Sequence, residues 1–170
     1  MSDAHLRAVV ADADSDKLGF VSDAAETAGY EVLAATDNGP DMLTLVEQYH
    51  PDLVLLDEDL HYLTGLDALP EIRESSPSTE VILLTRDEEL RELAMRAGAF
   101  GVVYKTRLTE LPGALGRARE FLESDRAPGD RRTGRDRRRR QDWQQVTRER
   151  RSGGDRRRGD GPGESDTGRS

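Results

Sequence analysis

Four side chains carry the chemistry this sequence can perform: Asp12, Asp57, Thr85 and Lys105. Asp12, Asp57 and Thr85 come directly after short apolar runs, at residues 6–11, 53–56 and 81–84, and Lys105 follows the run 102–104. The carboxylates can hold Mg²⁺, which takes one or two protein carboxylates and keeps several waters. One carboxylate can instead attack phosphorus and become an acyl phosphate. The ammonium and the hydroxyl would then bind the new phosphoryl oxygens. Keeping such a set has a physical cost, since two carboxylates about 4 Å apart repel by ~4 kcal/mol at an effective dielectric near 20. A cation or a phosphoryl group has to balance them.

The elements that must position these groups are legible around the stretch D-L-V-L-L-D-E-D at residues 52–59. Its four consecutive apolar residues suit a strand covered on both faces, started by Pro51 and running into Asp57. Ligands of open parallel sheets bind beyond the carboxyl ends of the strands, so Asp57 stands where chemistry is expected. The run 6–11 reads as the first strand, followed by Asp12, Asp14, Ser15 and Asp16 at a helix start. Leu18, Val21, Ala25 and Ala28 then keep helical spacing up to Gly29. Residues 30–35 form a second strand, and Asp37-Asn38-Gly39-Pro40 a turn into a helix with Met42, Leu45, Val46 and Tyr49 on one face. A third helix over 66–75 faces inward through Leu66, Leu69 and Ile72. After strand 81–84 the sequence predicts a helix from about Asp87 to Ala97, stopped by Gly98. After strand 102–104 it predicts a last helix capped by Thr109, with Pro112 in its first turn. Five strand–helix alternations with short connections imply an α/β fold, a doubly wound five-stranded parallel sheet with five helices on its two faces. That fold puts Asp12, Asp57, Thr85 and Lys105 at one sheet edge.

Charge is spread unevenly along the 170 residues. Residues 1–125 hold 10 Lys/Arg and 26 Asp/Glu, net −16, whereas residues 126–170 hold 15 and 8, net +7. The absence of cysteine excludes disulfides and thiolate metal sites. His5, His50 and His61 show no metal-ligand spacing, and His50, at a helix end before Pro51, is expected to satisfy the dipole or lie exposed. No apolar run approaches a membrane span and no signal-like segment opens the chain, so a cytoplasmic protein is expected.

With these residues in place, positions 5–122 resemble the receiver domain of two-component response regulators. The motifs are the acid Asp12, L-L-D at 55–57, Gly65 eight residues on, Thr85, and A-G-A-F-G-V-V-Y-K at 97–105. The resemblance implies a flavodoxin-like sheet of order 2-1-3-4-5. It also implies that Asp57 accepts a phosphoryl group from a histidine kinase, a phosphotransfer protein or a small phosphodonor. Asp12, Asp57 and the Asp59 backbone carbonyl would hold Mg²⁺, and Thr85 and Lys105 would bind the phosphoryl group. Such a protein is a regulator rather than an enzyme, signalling by contact through the face of the fourth helix, fifth strand and fifth helix, with a homodimer left open. The chain departs from the family in three places. Ala13 replaces a second metal-touching acid, which lowers the expected Mg²⁺ affinity. Val102 stands where an aromatic usually swings inward with the Thr, flanked by Phe100 and Tyr104. Thr106 and Leu60-His61 replace common prolines and Met-Pro. The alternative is a phosphate-independent pseudo-receiver that keeps only the fold.

From about Arg126 the composition changes. Of 45 residues only Ala127, Trp143 and Val146 are apolar, so no second core is expected and the tail reads as disordered. The pattern [DE]-R-R-[ST]-G-x-D-R-R-R occurs at 130–139 and again at 149–158, with a short helix expected between the copies at 141–148. Arginine pairs bind phosphate bidentately, so RNA or another polyanion is one candidate partner, although the interspersed acids reduce the charge. Docking of the tail on its own acidic domain is another. No helix-turn-helix or enzymatic output domain fits in 45 polar residues, so a single-domain regulator is expected.

Overall fold

A computed structural model describes residues 5–126. The elements are β1 (Leu6–Ala11), α1 (Ser15–Thr27), β2 (Tyr30–Thr36), α2 (Gly39–Tyr49), β3 (Leu53–Asp57) and α3 (Gly65–Ser75). They continue with β4 (Glu80–Thr85), α4 (Leu90–Arg96), β5 (Gly101–Tyr104), a 3-10 segment (Lys105–Glu110) and α5 (Leu111–Arg126). All strand pairs are parallel and their order is β2-β1-β3-β4-β5, the expected topology.

Alternation along the central strands divides the interior into two layers. Ala8, Val10, Leu53, Leu55, Ile82 and Leu84 face α1 and α5, meeting Val21, Ala25, Leu115 and Ala118. Val9, Val54, Leu56, Val81 and Leu83 face the other way and meet Met42, Val46, Leu69 and Ile72 from α2 and α3. Every residue of β3 and β4 is buried, which is why these two strands read as continuous apolar runs rather than alternating ones. Tyr30 is buried with its hydroxyl donating to the Leu115 carbonyl at 3.1 Å, tying β2 to α5.

α3, β4 and β5 each begin one residue earlier than expected, and two helix starts depart from their expected first residue or cap. The fourth helix begins at Leu90 rather than Asp87, because the Asp87 carboxylate accepts the Glu89 N–H and holds the preceding residues in a turn. Thr109 caps no helix: it lies inside the 3-10 segment, where Arg107 has non-helical backbone angles, and α5 begins only at Leu111. α5 runs through Arg126, one residue past the expected domain boundary, and Arg126 pairs with Asp52 at 2.5 Å. Asp52 immediately precedes β3, so α5 ends at the pole of the sheet opposite Asp57. The arginine repeats and the helix expected at 141–148 fall outside the described residues.

His50 closes α2 in a left-handed conformation, φ 44°, with its carbonyl accepting from Arg7 and its Nδ1 3.2 Å from Ser76 Oγ. Ser76 is itself buried and bonded to Thr79, so the histidine braces the loops at the strand-start pole.

Candidate phosphoacceptor site

Asp12, Asp57 and Lys105 converge at the carboxyl edge of the sheet. Lys105 Nζ lies 2.7 Å from Asp57 Oδ1, 3.1 Å from Asp12 Oδ2 and 3.2 Å from Asp12 Oδ1. Asp12 and Asp57 are buried, and the lysine side chain is only 4 % exposed. Strand register explains the convergence: Ala11 pairs with Leu56, so the residues that follow each, Asp12 and Asp57, leave neighbouring strands side by side. Lys105 reaches them from the end of β5, two strands from β3 and three from β1.

The backbone completes the cradle. The Ala13 N–H donates to Asp57 Oδ2 at 3.3 Å and the Asp59 N–H to Asp57 Oδ1 at 3.1 Å, so both oxygens of Asp57 are engaged. The Asp14 N–H donates to Asp12 Oδ1 at 2.9 Å. The Asp14 side chain does not stand in for the acid missing at Ala13. It caps α1, accepting from the Asp16 and Lys17 N–H groups, and pairs with Lys17 Nζ at 2.5 Å.

Thr85 is buried at the end of β4, one residue beyond Leu84, the register partner of Asp57. Its hydroxyl accepts the Asp87 N–H at 3.0 Å and makes no hydrogen bond to Asp57 or Lys105. Tyr104 is its own register partner on β5. Val102 and Tyr104 pack on the same sheet face, against the α2–α4 layer, and Arg107 stacks 5.8 Å above the Tyr104 ring while pairing with Glu88 at 3.3 Å.

Burial raises the pKa of Asp12 above the ordinary carboxylate value, and the Asp57 charge adds to it. The Asp14 N–H and Lys105 act against that rise. Asp12 Oδ2 is buried and makes no hydrogen bond, although the lysine ammonium stands near it. Two buried carboxylates sharing one ammonium, with one Asp12 oxygen that accepts no hydrogen bond, are a set that suits a hard divalent cation. Among the described residues no group of three or more His, Cys, Asp or Glu side chains is arranged around a metal position, consistent with Ala13 supplying no carboxylate.

Glu58, between Asp57 and Asp59, escaped sequence reasoning. Its Oε2 accepts the Leu66 N–H at 2.8 Å, adding a second cap to α3 beside Thr64, whose side chain accepts from Asp67. Burial pushes its pKa up to about 7, countered by the Leu66 N–H and reinforced by Asp59, Asp67 and Asp57. The Ala13 and Asp59 backbone donors also have no signature in residue type. Gly65 does have one: a Cβ there would lie 2.6 Å from the Asp57 carbonyl oxygen and 2.7 Å from Leu83 Cδ1. The loop after Asp57 is further pinned to the start of α2, where the Gly39 N–H donates to the His61 carbonyl at 3.0 Å.

Fold and site together define a signalling receiver. Residues 8–115 match the response regulator receiver domain, and the chain belongs to that family. It is 33% identical over 99 residues to the response regulator GacA of Pseudomonas aeruginosa, covering 57% of this chain and 46% of GacA. It is 31% identical over 78 residues to the chemotaxis protein CheY of Halobacterium salinarum, covering 45% of this chain and 65% of that protein. The chain thus spans less than half the length of GacA and about two thirds that of CheY. Among solved structures, a LuxR-family DNA-binding response regulator from Staphylococcus aureus superposes with TM-score 0.61 at 29% identity, covering 66% of this chain and 98% of that one. A CheY-like receiver domain protein from Methanospirillum hungatei shares the fold with TM-score 0.63 at 24% identity, covering 74% and all of that chain. No helix among the described residues is long and apolar enough to cross a membrane.

Proposed function

We propose that this protein is a cytoplasmic phosphoacceptor regulator, modified on Asp57 by a histidine kinase, a phosphotransfer protein or a small phosphodonor. The observation that carries the reading is the buried ammonium of Lys105 held between Asp57 and Asp12, at 2.7 and 3.1 Å. In the reaction an Asp57 carboxylate oxygen attacks phosphorus, and the donor's P–N or P–O bond breaks as its imidazole or carboxylate leaves. Lys105 and the Thr85 hydroxyl bind the transferred phosphoryl oxygens, while the Ala13 and Asp59 N–H groups orient the nucleophile. Asp12, Asp57 and the Asp59 carbonyl would hold Mg²⁺, which supplies charge neutralisation when bound. With one carboxylate fewer than the family pattern, that affinity is weakened by Ala13.

The signal leaves by protein–protein contact through the face of α4, β5 and α5. As a regulator rather than an enzyme, the chain would catalyse only phosphoryl uptake and loss on itself. The experiment is incubation of the full chain with Mg²⁺ and acetyl phosphate, followed by intact mass measurement. A single phosphoryl adduct that disappears in Asp57→Asn supports the reading. No adduct in the unmodified protein overturns it in favour of a phosphate-independent interaction module.

A further inference from the structure

The outer face of α1 is acidic and carries one large apolar side chain with no cover. Phe20 is 51 % exposed. Asp16 lies four residues before it and Asp23 three after, so all three share one side of the helix, with exposed Glu26 a turn further on. No ion pair among the described residues reaches Asp16, Asp23 or Glu26, and the helix's single cation, Lys17, is committed to Asp14. The opposite side of α1 is spent on the core through Val21 and Ala25.

The sequence beyond α5 is the chemical complement of that face. Trp143 and Val146 are three residues apart, a spacing that would put them on one side of a helical turn were the segment to fold as a helix on docking. They are flanked by Arg137–Arg140 before and by Arg148, Arg150 and Arg151 after, with Asp142 and Glu149 the two acids among them. An apolar pair in a run of net positive charge matches an apolar residue set in carboxylates, and arginine forks bind carboxylates bidentately. Of the other exposed large apolar side chains on helices, Leu93 and Met95 on α4 are interleaved with Arg91 and Arg96, and Tyr49 at the end of α2 follows Leu45 and Val46 with no acid three or four residues before it, so none offers such a match.

The distances permit contact within one chain. α1 and α5 lie side by side, Arg119 Nη1 donating to the Ala28 carbonyl at 2.9 Å. From Phe20 along α1 to Ala28 is about 12 Å, and from Arg119 along α5 to Arg126 about 10 Å. Trp143 follows Arg126 by 17 residues. A random coil of that length has a root-mean-square span of about 23 Å.

We propose that the segment 143–151 docks on the outer face of α1 in the same molecule, with Trp143 and Val146 over Phe20 and its arginines against Asp16, Asp23 and Glu26. α1 begins three residues after Asp12, so the docked segment borders the phosphoacceptor rim.

Trp143 is the sole tryptophan, so its fluorescence in the full chain reads the contact directly, without Mg²⁺ or phosphodonor. The expected result is native emission that is blue-shifted and shielded from acrylamide relative to the denatured chain, and unchanged on dilution. Phe20→Ala should move both readings toward the denatured values, and so should Asp23→Lys, with circular dichroism confirming that the variants fold. High salt should weaken the shielding. The inference is overturned if native Trp143 is as exposed as in denaturant, if neither substitution changes its shielding, or if the shielding disappears on dilution as expected for contact between copies.

Discussion

Lys105 Nζ stands 2.7 Å from Asp57 Oδ1 while also touching Asp12, so one ammonium holds two buried carboxylates. Removing it leaves both acids facing each other with reduced compensation. Lys105→Met is therefore expected to destabilise the fold by about 3 kcal/mol at neutral pH in urea titrations without divalent ions. Adding Mg²⁺, or combining the change with Asp57→Asn, should recover much of the loss. A variant as stable as the original would show that the lysine balances nothing.

Ala13 gives the site a backbone donor but no carboxylate. Ala13→Asp adds a third oxygen ligand near Asp12 and is expected to tighten Mg²⁺ binding about tenfold, since affinity follows ligand charge count. Isothermal titration calorimetry of the two proteins provides the comparison. The cost is visible in stability without metal, which should fall because three carboxylates then share one ammonium.

Glu58 makes the fold sensitive to pH. Its pKa rises from 4.5 unfolded to about 7 folded, so between those values the folded state binds more protons than the unfolded one. Stability assigned to this group is full below pH 4.5, declines as pH rises through the window, and is lost above about 7. Glu58→Gln keeps an acceptor for the Leu66 N–H and carries no charge. It should stabilise the protein by about 1 kcal/mol at pH 8, after discounting for partial solvation, and make little difference at pH 4.5. Denaturation midpoints of both proteins across that range would expose a wrong sign at once.

Gly65 is required by space, because a Cβ would press on the Asp57 carbonyl oxygen and the Leu83 side chain. Gly65→Ala is expected to cost about 1–3 kcal/mol and to slow phosphoryl uptake by shifting the loop that orients Asp57. Thermal melting and the acetyl phosphate reaction read the two effects separately.

Much of this architecture is legible in residue order because buried parallel strands need apolar runs, and each run here ends in or beside a polar residue. That logic put Asp12, Asp57, Thr85 and Lys105 at strand ends, where the structure brings Asp12, Asp57 and Lys105 into contact and turns the Thr85 hydroxyl to the Asp87 N–H. It could not find the Ala13 and Asp59 N–H groups, since every residue except proline carries that donor. Nor could it separate Glu58 from a solvated loop acid, because its raised pKa comes from tertiary burial. At Asp87 and Thr109 the cap signals were present, but Asp87 closes a turn and Thr109 sits within a 3-10 stretch. Asp14 illustrates the reverse case: helix capping and the pair with Lys17 claim it, so proximity in sequence to Asp12 gives it no share in the site.

The ion pair between Arg126 and Asp52 has a practical corollary. It fastens the outgoing end of the last helix beneath the sheet, at the far end of the strand whose other tip is Asp57. A fluorophore or surface attached through the last turn of α5 would grip the molecule from below, leaving the Asp57 rim turned toward the bulk liquid.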